Sequence, residues 1–427
     1  MQLDNDNRAA ELKQYAAQIG ALMKQGQKDA AEAAKAQVAQ LKEEQKTVAE
    51  KLEEAEVAIR DILLTIPNIP CDMVPEGRTA EDNVVENFGM RDFATEGTQF
   101  VINGYKTFLR GKHDACVFPL TGYAPMDVES WCRVFQIAKS YGINYYRCHS
   151  YTPPKAAFEA ADIEGIYFQA ELPLWGTISA ENERLNEFLL REARMVLDFM
   201  GNHASFTMLG LGNELNGDVA TMREWLAEFR ERDSRHLYSY GSNNFLGWQG
   251  PQDGEDYFTT CRVGGSEGYE SHVRSSFAFV DAEQGGILNN TRPNTRADYA
   301  QAIARSPRPV IGHETGQFQV YPDYDEIAKY TGVLHPYNFE IFRDRLRENG
   351  LQEQADAFHD ATGRFAMECY KADIEYSLRT AGLGGFQMLD LQDFPGQGSA
   401  LVGVLGIGLL IVFGETFINL FLQGESD

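Results

Sequence analysis

Two glutamates, Glu214 and Glu314, each end a short apolar stretch of the chain. Glu214 closes the run Phe-Thr-Met-Leu-Gly-Leu-Gly-Asn-Glu, and Glu314 closes Pro-Val-Ile-Gly-His-Glu. Apolar runs of this length are typical of buried strands, so both carboxyl groups are predicted at strand ends. Hydrolysis of a glycosidic bond needs two facing carboxyl groups, and a gap of about 5 Å between them would mean retention of configuration. The alternative for either glutamate alone is a solvated acid in a loop.

Polar and aromatic side chains also occur at the other predicted strand ends. They are His113, Asp114, Arg147, His149, Glu171, Trp175, Asn213, Asn243, Asn244, His313, Asp390 and Gln392. Carboxylates, amides and imidazoles beside flat aromatic faces suit a polyhydroxylated ligand. The chain has no HExxH sequence and no closely spaced pair of histidines, so no metal site is predicted. No cofactor is expected either.

The elements that must position these side chains lie between residues 93 and 405, where short apolar runs alternate with amphipathic helices. Strands are predicted at 107–110, 144–149, 167–171, 207–213, 237–242, 257–261, 309–313 and 385–389. Helices between them include 130–141, 181–200 and 222–229. Eight strands in this span predict an α/β fold, a (β/α)8 TIM barrel with its functional residues at the carboxyl ends of the strands. Glu214 then follows strand four and Glu314 strand seven, on opposite sides of the ring.

One of these helices shows how a buried face is predicted. Within residues 181–200, apolar side chains at helical spacing indicate the face that packs on the barrel. That predicted face contains Leu185, Phe188, Leu189, Val196 and Phe199.

Residues 1–66 have a different composition, rich in Ala, Glu, Lys and Gln and without proline. Apolar or small residues there follow steps of three and four, which is the heptad pattern of a coiled coil. These residues are Val38, Leu41, Val48, Leu52, Ala55, Ile59 and Ile62. A similar, shorter run precedes Gly26, so an antiparallel α-helical coiled-coil hairpin is predicted. Pro67 ends the second helix, and residues 67–92 are predicted to form a linker.

The last segment, residues 406–427, is almost wholly apolar from Gly406 to Leu422. About 17 apolar residues are at the lower limit for a membrane span, and Glu415 within the run opposes insertion. The sequence leaves three alternatives open: a tail in contact with a membrane, a helix that closes the barrel, or a disordered end.

Charge and composition exclude several classes of partner. The 427 residues contain 38 Lys plus Arg and 63 Asp plus Glu, a net charge of −25. This balance argues against a general surface for nucleic acids or anionic membranes, which need clustered basic side chains. The six cysteines form no CxxC pair, so free thiols are predicted. The amino terminus shows no signal peptide, and the cytoplasm is the expected location by default.

The middle of the chain, from about Met90 to Leu405, resembles the barrel domain of glycoside hydrolase family 2, the β-galactosidase and β-glucuronidase group. The resemblance rests on an ordered series of motifs: Phe100-Val-Ile-Asn-Gly-Tyr, Phe108-Leu-Arg-Gly-Lys-His, Tyr141-Gly-Ile-Asn-Tyr-Tyr-Arg-Cys-His, Glu171-Leu-Pro-Leu-Trp and Gly212-Asn-Glu. It implies that Glu214 is the acid/base and Glu314 the nucleophile of a retaining β-glycosidase. It also implies that Asn213 binds the sugar 2-hydroxyl and that Arg147 and His149 line the nucleophile side.

The same resemblance implies a carbohydrate substrate of the β-galactoside or β-glucuronide type. Trp175 is then either a platform for the sugar ring or a packing tryptophan. The two β-sandwich domains that the family places ahead of its barrel do not match any part of this sequence. The expected glycosidase activity therefore depends on the barrel working without these two domains.

Residues from Leu3 to about Gly89 resemble the tRNA-binding helical arm of bacterial seryl-tRNA synthetase. The motifs are Leu63-Leu-Thr-Ile-Pro-Asn-Ile-Pro, Val74-Pro-Glu-Gly and Glu81-Asp-Asn-Val. The synthetase's catalytic domain is not recognisable after them, so the chain reads as a fusion of unrelated pieces. Residues 1–90 contain 10 basic and 17 acidic residues, a net charge of −7, which disfavours tRNA as a partner. The second helix is predicted to be longer than the first, so its far half, from Val48 to Ile62, has no partner within the hairpin. Self-association through this half is the favoured use of the arm.

Two functions from different classes therefore follow from the sequence. The first is a retaining β-glycosidase located in the barrel. The alternative is a non-catalytic chimeric product in which the helical arm mediates tRNA binding or helix–helix association.

Overall fold

The computed structural model describes residues 88–265, 269–274, 292, 294–393 and 402–403, together with separate positions between Lys35 and Val57 that are helical. The chain divides into two compact units, residues 1–85 and 86–427. The predicted coiled-coil hairpin over residues 1–66 lies, apart from those helical positions, outside the described residues. The apolar tail at 406–427 also lies outside them. The finer boundaries at 66, 92 and 405 stay predictions.

The second unit begins with a three-stranded antiparallel sheet made of β1 (Phe93–Glu96), β2 (Gln99–Ile102) and β3 (Tyr105–Thr107). Gly97 and Gly104 provide the left-handed residues of its two turns, with φ of 61° and 81°. The sheet packs Phe93, Phe100 and Ile102 against the first residues of the barrel strands, among them Leu109, Tyr145 and Ile311. It thus covers the amino-terminal end of the barrel. The sequence did not predict this sheet.

The remaining strands form an eight-stranded parallel sheet that closes almost completely into a barrel. Its strands are β4 (Leu109–Asp114), β5 (Tyr145–Cys148), β6 (Tyr167–Glu171), β8 (Phe206–Gly210), β10 (Leu237–Ser239), β11 (Phe258–Thr260), β12 (Val310–Gly316) and β13 (Gly385–Leu389). The strand order is β10-β8-β6-β5-β4-β13-β12-β11. The two edge strands meet where Ser242 bridges Thr259 and the Asn243 amide donates to the Thr259 carbonyl at 2.7 Å.

The eight-stranded α/β barrel predicted from the sequence is therefore confirmed in its strand number and parallel order. Several strand boundaries differ from the prediction. The predicted strand at 207–213 ends at Gly210, and Asn213 already belongs to another strand, Asn213–Gly217. The first strand was placed too early. Residues 107–110 were predicted as the first strand, whereas β4 spans Leu109–Asp114. The reason is that Lys112, His113 and Asp114 are charged or polar yet almost fully buried, so they do not show the apolar pattern of a core strand.

Helices follow most strands and cover the barrel. They are α1 (Val128–Ser140), α2 (Lys155–Glu164), α3 (Glu183–Met200), α4 (Val219–Arg232), α5 (Ala300–Ile303), α6 (Tyr337–Glu348) and α7 (Ala355–Arg379). Short 3-10 helices occur at Asn244–Gly247, Tyr269–Ser271, Tyr324–Lys329 and Gln352–Gln354. Helix α1 begins at Asp127, whose carboxylate accepts from the Ser130 amide, as expected for an N-cap.

Helix α3 corrects the predicted buried face. Its buried residues are Leu189, Ala193 and Leu197, whereas Phe188 and Phe199 are 40% and 67% exposed. The helix is amphipathic, as predicted, but it is rotated so that part of the predicted face lies at the surface.

A short parallel pair of strands stands at the carboxyl end of the barrel. It consists of β7 (Trp175–Ile178) and β9 (Asn213–Gly217), with Trp175 paired to Asn213. The sharp entry into β9 needs Gly212, which has a φ of 144°. A Cβ atom on Gly212 would lie 2.2 Å from the Leu174 carbonyl oxygen.

The described residues bear on the predicted free thiols, whereas the predicted apolar tail lies outside them. Cys116, Cys132, Cys148, Cys261 and Cys369 are free thiols. Within the described part of the chain, no helix combines the length and the apolar character needed to cross a bilayer.

Candidate active site

Glu214 lies on β9, just beyond the end of barrel strand β8. Its backbone is in the left-handed region, with a φ of 45°, and its amide donates to the Ser242 carbonyl at 2.7 Å. The half-buried side chain accepts a hydrogen bond from Asn243 Nδ2 at 3.2 Å through Oε1. A neighbouring strand end therefore fixes both the backbone and the carboxyl group.

Glu314 lies within β12 and is only 8% exposed. Its φ of 44° is also left-handed. Arg147 donates from Nη1 to Oε1 at 3.1 Å, and Gln317 donates from its side-chain Nε2 to Oε2 at 3.4 Å. Arg274 holds the backbone by donating from Nη1 to the carbonyls of His313 and Glu314, at 3.1 and 3.0 Å.

Arg147 is the fully buried centre of the site. Its guanidinium forms a bidentate pair with Glu171, with distances of 2.7 Å from Nε and 3.2 Å from Nη2. Nη2 also donates to Asn213 Oδ1 at 2.6 Å. A bidentate pair fixes the plane of the guanidinium, so Arg147 holds Asn213 and Glu314 in one geometry. Asn213 uses Oδ1 in this contact, which leaves its amide NH₂ as the group it can offer to a ligand.

His149 and Trp175 lie beside this centre. His149 Nε2 is 4.0 Å from Glu314 Oε1, and its ring meets the Trp175 ring edge to face at 5.2 Å between centroids. Trp175 is 57% exposed, so most of the indole lies at the surface of the rim. The structure thus brings together all six residues predicted for the site, Glu214, Glu314, Arg147, His149, Asn213 and Trp175.

The two glutamates have opposite electrostatic environments. Burial and the charge of Glu314 raise the pKa of Glu214 above its usual value, and the bond from Asn243 opposes this only in part. Burial also acts to raise the pKa of Glu314, but Arg147 and the nearby histidines outweigh it, so that pKa is lowered. Two carboxyl groups whose pKa values are pushed apart are the arrangement that acid and base catalysis requires.

The gap between the two glutamates is short. Glu214, His313 and Glu314 each place one polar atom within 4.8 Å of the others, so carboxylate oxygens of the two glutamates approach within that distance. His113, His149 and Glu314 meet in the same way, although no short sequence spacing joins the two histidines. Arg147 already donates to Glu314, a contact that disfavours a cation there. The absence of a resident metal stays a prediction.

Several residues of the site were not predicted. Gln169 and Ser242 both contact Glu171, at 3.2 and 2.6 Å. Gln169 stands two residues before Glu171 on the same strand, and this period of two was an available signal. Arg274 gave none, because it lies in an irregular loop. Lys112, which lies behind the site, gave none either, because it is inside a strand that was placed too early.

The fold and the paired glutamates together define a TIM-barrel glycosidase domain. Residues 93–324 match the sequence profile described as "Glycosyl hydrolases family 2, TIM barrel domain". The match covers more than half of the chain, and the protein belongs to glycosyl hydrolase family 2.

Solved structures show the same fold. The β-glucuronidase of Ruminococcus gnavus superposes with a TM-score of 0.57 and 15% identity, over 80% of this chain and 55% of that one. The β-glucuronidase of Parabacteroides merdae gives 0.51 and 16%, over 76% and 38%. A family 2 β-galacturonidase of Eisenbergiella tayi, bound to galacturonate, gives 0.51 and 14%, over 79% and 55%. The chain therefore spans about half the length of these proteins or less.

The amino-terminal segment has a different relationship. Residues 1–70 match the profile of the seryl-tRNA synthetase N-terminal domain. The serine–tRNA ligase of Delftia acidovorans is 48% identical over 71 residues, which are 17% of this chain and 16% of that protein. The enzyme of Zymomonas mobilis is 46% identical over 70 residues, 16% of each. The chain thus spans about a sixth of the length of these ligases.

Proposed function

We propose that the barrel is a retaining β-glycosidase in which Glu214 is the acid/base and Glu314 the nucleophile. The observation that carries this proposal is the pair of carboxyl groups, with oxygens within 4.8 Å and pKa values shifted in opposite directions. In retaining glycosidases the two groups are about 5–5.5 Å apart, whereas inverting ones leave about 6.5–9.5 Å for a water molecule. An approach of two oxygens within 4.8 Å is compatible with the shorter separation, and we therefore propose double displacement.

The reaction proceeds in two balanced steps. Protonated Glu214 gives its proton to the glycosidic oxygen as ionised Glu314 attacks the anomeric carbon, so the C–O bond to the leaving group breaks and an ester to Glu314 forms. Glu214, now ionised, then removes a proton from water as the water oxygen attacks the same carbon. The ester bond breaks, the sugar leaves with its original configuration, and Glu214 is protonated again.

The surrounding residues support this division of roles. Arg147 keeps Glu314 ionised and oriented, because it donates to the carboxylate from a fully buried position. Asn213 uses its Oδ1 to accept from Arg147, and we propose that its amide NH₂ binds a sugar hydroxyl. His149 and the exposed face of Trp175 offer an imidazole and a flat apolar surface for the sugar ring.

For the substrate we propose a β-glucuronide or β-galactoside type of sugar. The polar rim of carboxylates, amides and imidazoles suits several hydroxyl groups, and the solved structures with this fold include β-glucuronidases and a β-galacturonidase. The choice between a uronide and a neutral sugar can be made with a panel of aryl β-glucuronide, β-galacturonide, β-galactoside and β-mannoside.

The deciding experiment is chemical trapping of the nucleophile. The folded chain is incubated with the 2-deoxy-2-fluoro β-glycosyl fluoride of the best substrate, digested and analysed by mass spectrometry. A glycosyl adduct on the peptide that contains Glu314, lost in Glu314→Gln and kept in the exposed control Glu353→Gln, is the expected result. Hydrolysis at the wild-type rate by Glu314→Gln would refute the assigned roles, and a folded chain inert towards the whole panel would refute the glycosidase.

A second function is favoured by a separate observation, the match of residues 1–70 to the synthetase arm. We propose that this segment associates with other helices, and with a second copy of the chain in particular, rather than with tRNA. Its acidic net charge disfavours a polyanion. Light scattering of the full chain and of a chain without residues 1–66 tests this, and a tRNA gel shift at low salt tests the alternative.

A further inference from the structure

A lysine is fully buried behind the candidate nucleophile. Lys112 is 0% exposed, and its Nζ donates to Gln392 Oε1 at 2.8 Å. It also lies 3.3 Å from Asp114 Oδ1 and 3.5 Å from Asp390 Oδ1. Lysine is almost never fully buried unless its charge is paired, and here Asp114 and Asp390 provide the negative charge. The question is what a buried lysine at this position does for the site.

Lys112 does not face the active site. On the paired strands β4 and β5, His113 stands opposite Arg147, and Arg147 points into the site. Successive side chains on a strand point to opposite faces, so Lys112 points to the outer face of the sheet. Its Nζ lies 5.1 Å from the centre of the Tyr146 ring, between the sheet and the helices.

Asp390, just after β13, connects this lysine to the active site. Its Oδ1 lies near Lys112 Nζ and accepts from the Leu391 amide at 2.6 Å, whereas its Oδ2 is 3.3 Å from His113 Nδ1. The His113 ring in turn has a ring nitrogen within 4.8 Å of a Glu314 carboxylate oxygen. One carboxylate therefore joins a buried cation on one side of the sheet to a histidine in the site on the other.

We propose that Lys112 is a positioning residue that acts through Asp390 to hold His113 in the tautomer with its proton on Nδ1. Nε2 is then the acceptor nitrogen of the ring, able to receive a hydrogen bond from a sugar hydroxyl. The group facing one ring nitrogen decides the protonation of the other, and here Asp390 Oδ2 lies 3.3 Å from Nδ1. The statement about sugar binding rests on the proposed function, whereas the statement about the tautomer does not.

The electrostatics agree with this arrangement. Burial lowers the pKa of His113 to about 3, so the ring is neutral and its tautomer is what matters. Burial raises the pKa of Asp390 to about 7, and Lys112 is the main group that opposes the rise. The titratable groups around Asp390 are Lys112, His113, Glu314, Asp393, Tyr146 and Tyr370. At pH 8.5 Asp390 is mostly ionised, which makes that pH the one to use.

The test reads the tautomer directly, by nitrogen-15 NMR of histidine-labelled chain at pH 8.5, with the His113 signals assigned through His113→Gln. Wild type is expected to show the proton on Nδ1. In Asp390→Asn the carboxamide oxygen stays on the side of Lys112 and the Leu391 amide, since both are donors. Its NH₂ then faces His113, and the proton is expected to move to Nε2. Lys112→Met removes the ammonium that opposes protonation of Asp390, and it is expected to lose the Nδ1–H tautomer at the same pH.

Asp114→Asn is the matched control, because it alters the other carboxylate beside Lys112 without touching His113. The tautomer is expected to be unchanged there. A His113 that keeps Nδ1–H in Asp390→Asn, or that changes equally in Asp114→Asn, would overturn the proposal. If Lys112→Met does not fold, Asp390→Asn decides alone. Given glycosidase activity, kcat/KM should fall about 10- to 100-fold in Asp390→Asn. A chain that shows the expected tautomers but hydrolyses no glycoside would refute the proposed glycosidase function. The proposed effect of Lys112 and Asp390 on the His113 tautomer would still hold.

Discussion

The contact between Asn243 and Glu214 gives a prediction whose size can be worked out from the structure. Asn243 donates from Nδ2 to Glu214 at 3.2 Å, and its Oδ1 accepts from the Cys261 amide at 3.0 Å. Asn243→Asp keeps the acceptor and replaces the donor by a second carboxylate oxygen. Its φ of 58° is one that Asp tolerates as well as Asn, so little backbone strain is added.

Two effects raise the pKa of Glu214 in this variant. At an effective dielectric constant of about 20, two unit charges roughly 3 Å apart repel by about 5 kcal/mol, an upper limit for a half-buried group. The lost hydrogen bond contributes about 1 kcal/mol in the same direction. Since about 1.4 kcal/mol corresponds to one pKa unit, a rise of about 1–2 units is expected after solvent screening. The new pair titrates together, and its upper pKa is the one that rises.

The sign of the effect on activity follows from the role of Glu214. A general acid must be protonated, so activity is lost as pH rises through its pKa. The basic limb of the kcat/KM profile should therefore move to higher pH in Asn243→Asp. The assay is kcat/KM for an aryl glycoside with a poor leaving group, between about pH 4 and 10.

A control separates local from general effects. Asn216→Asp adds the same charge at an exposed position of β9, the strand that carries Glu214. It should move the basic limb of the kcat/KM profile much less. A basic limb that stays in place in Asn243→Asp, or moves to lower pH, would show that Glu214 is not the acid.

Three further variants, two of them paired with a control variant, test the packing and the contacts that hold the barrel and its site. Gly212→Ala forces a Cβ into a backbone oxygen at a φ of 144° and should cost about 1–3 kcal/mol, lowering the melting temperature, whereas Gly97→Ala has open space and should cost less. Leu197→Ala should lower the free energy of unfolding by about 2–5 kcal/mol in urea, and Phe199→Ser should change it by under about 0.5 kcal/mol. Arg147→Met leaves the buried carboxylate of Glu171, its bidentate partner, without a counter-charge and should cost about 3–5 kcal/mol, seen as a lower melting temperature.

The strand ends that carry the site could be predicted from the sequence because parallel strands in a barrel are buried on both faces. Their apolar runs are therefore clear, and the polar residue that ends each run is conspicuous. Glu214, Glu314 and Arg147 were found in this way. Polar residues inside a strand could not be found in this way. Lys112 is one of them, because it is buried within β4 and its partner Gln392 lies 280 positions further along the chain.

Helix α3 shows a second limit. Phe188 and Phe199 fit an apolar face as well as Leu189 and Leu197 do, and spacing alone does not say which face meets the barrel. The structure buries the face that contains Leu189, Ala193 and Leu197. That preference is visible only once the neighbouring elements are known. The sheet β1–β3 escaped prediction for a related reason, since its strands are short and mixed in polarity and become stable only against the end of the barrel.

The backbone of the two glutamates offers an independent argument for their importance. Both have φ near 45°, a conformation that costs a long side chain about 1–3 kcal/mol. Each is held there by contacts with other segments of the chain: the Glu214 amide donates to the Ser242 carbonyl, and Arg274 donates to the Glu314 carbonyl. A solvated acid in a loop would relax to an ordinary conformation. Two strained glutamates, fixed from outside and turned towards each other, are what a reaction requiring two placed carboxyl groups would select.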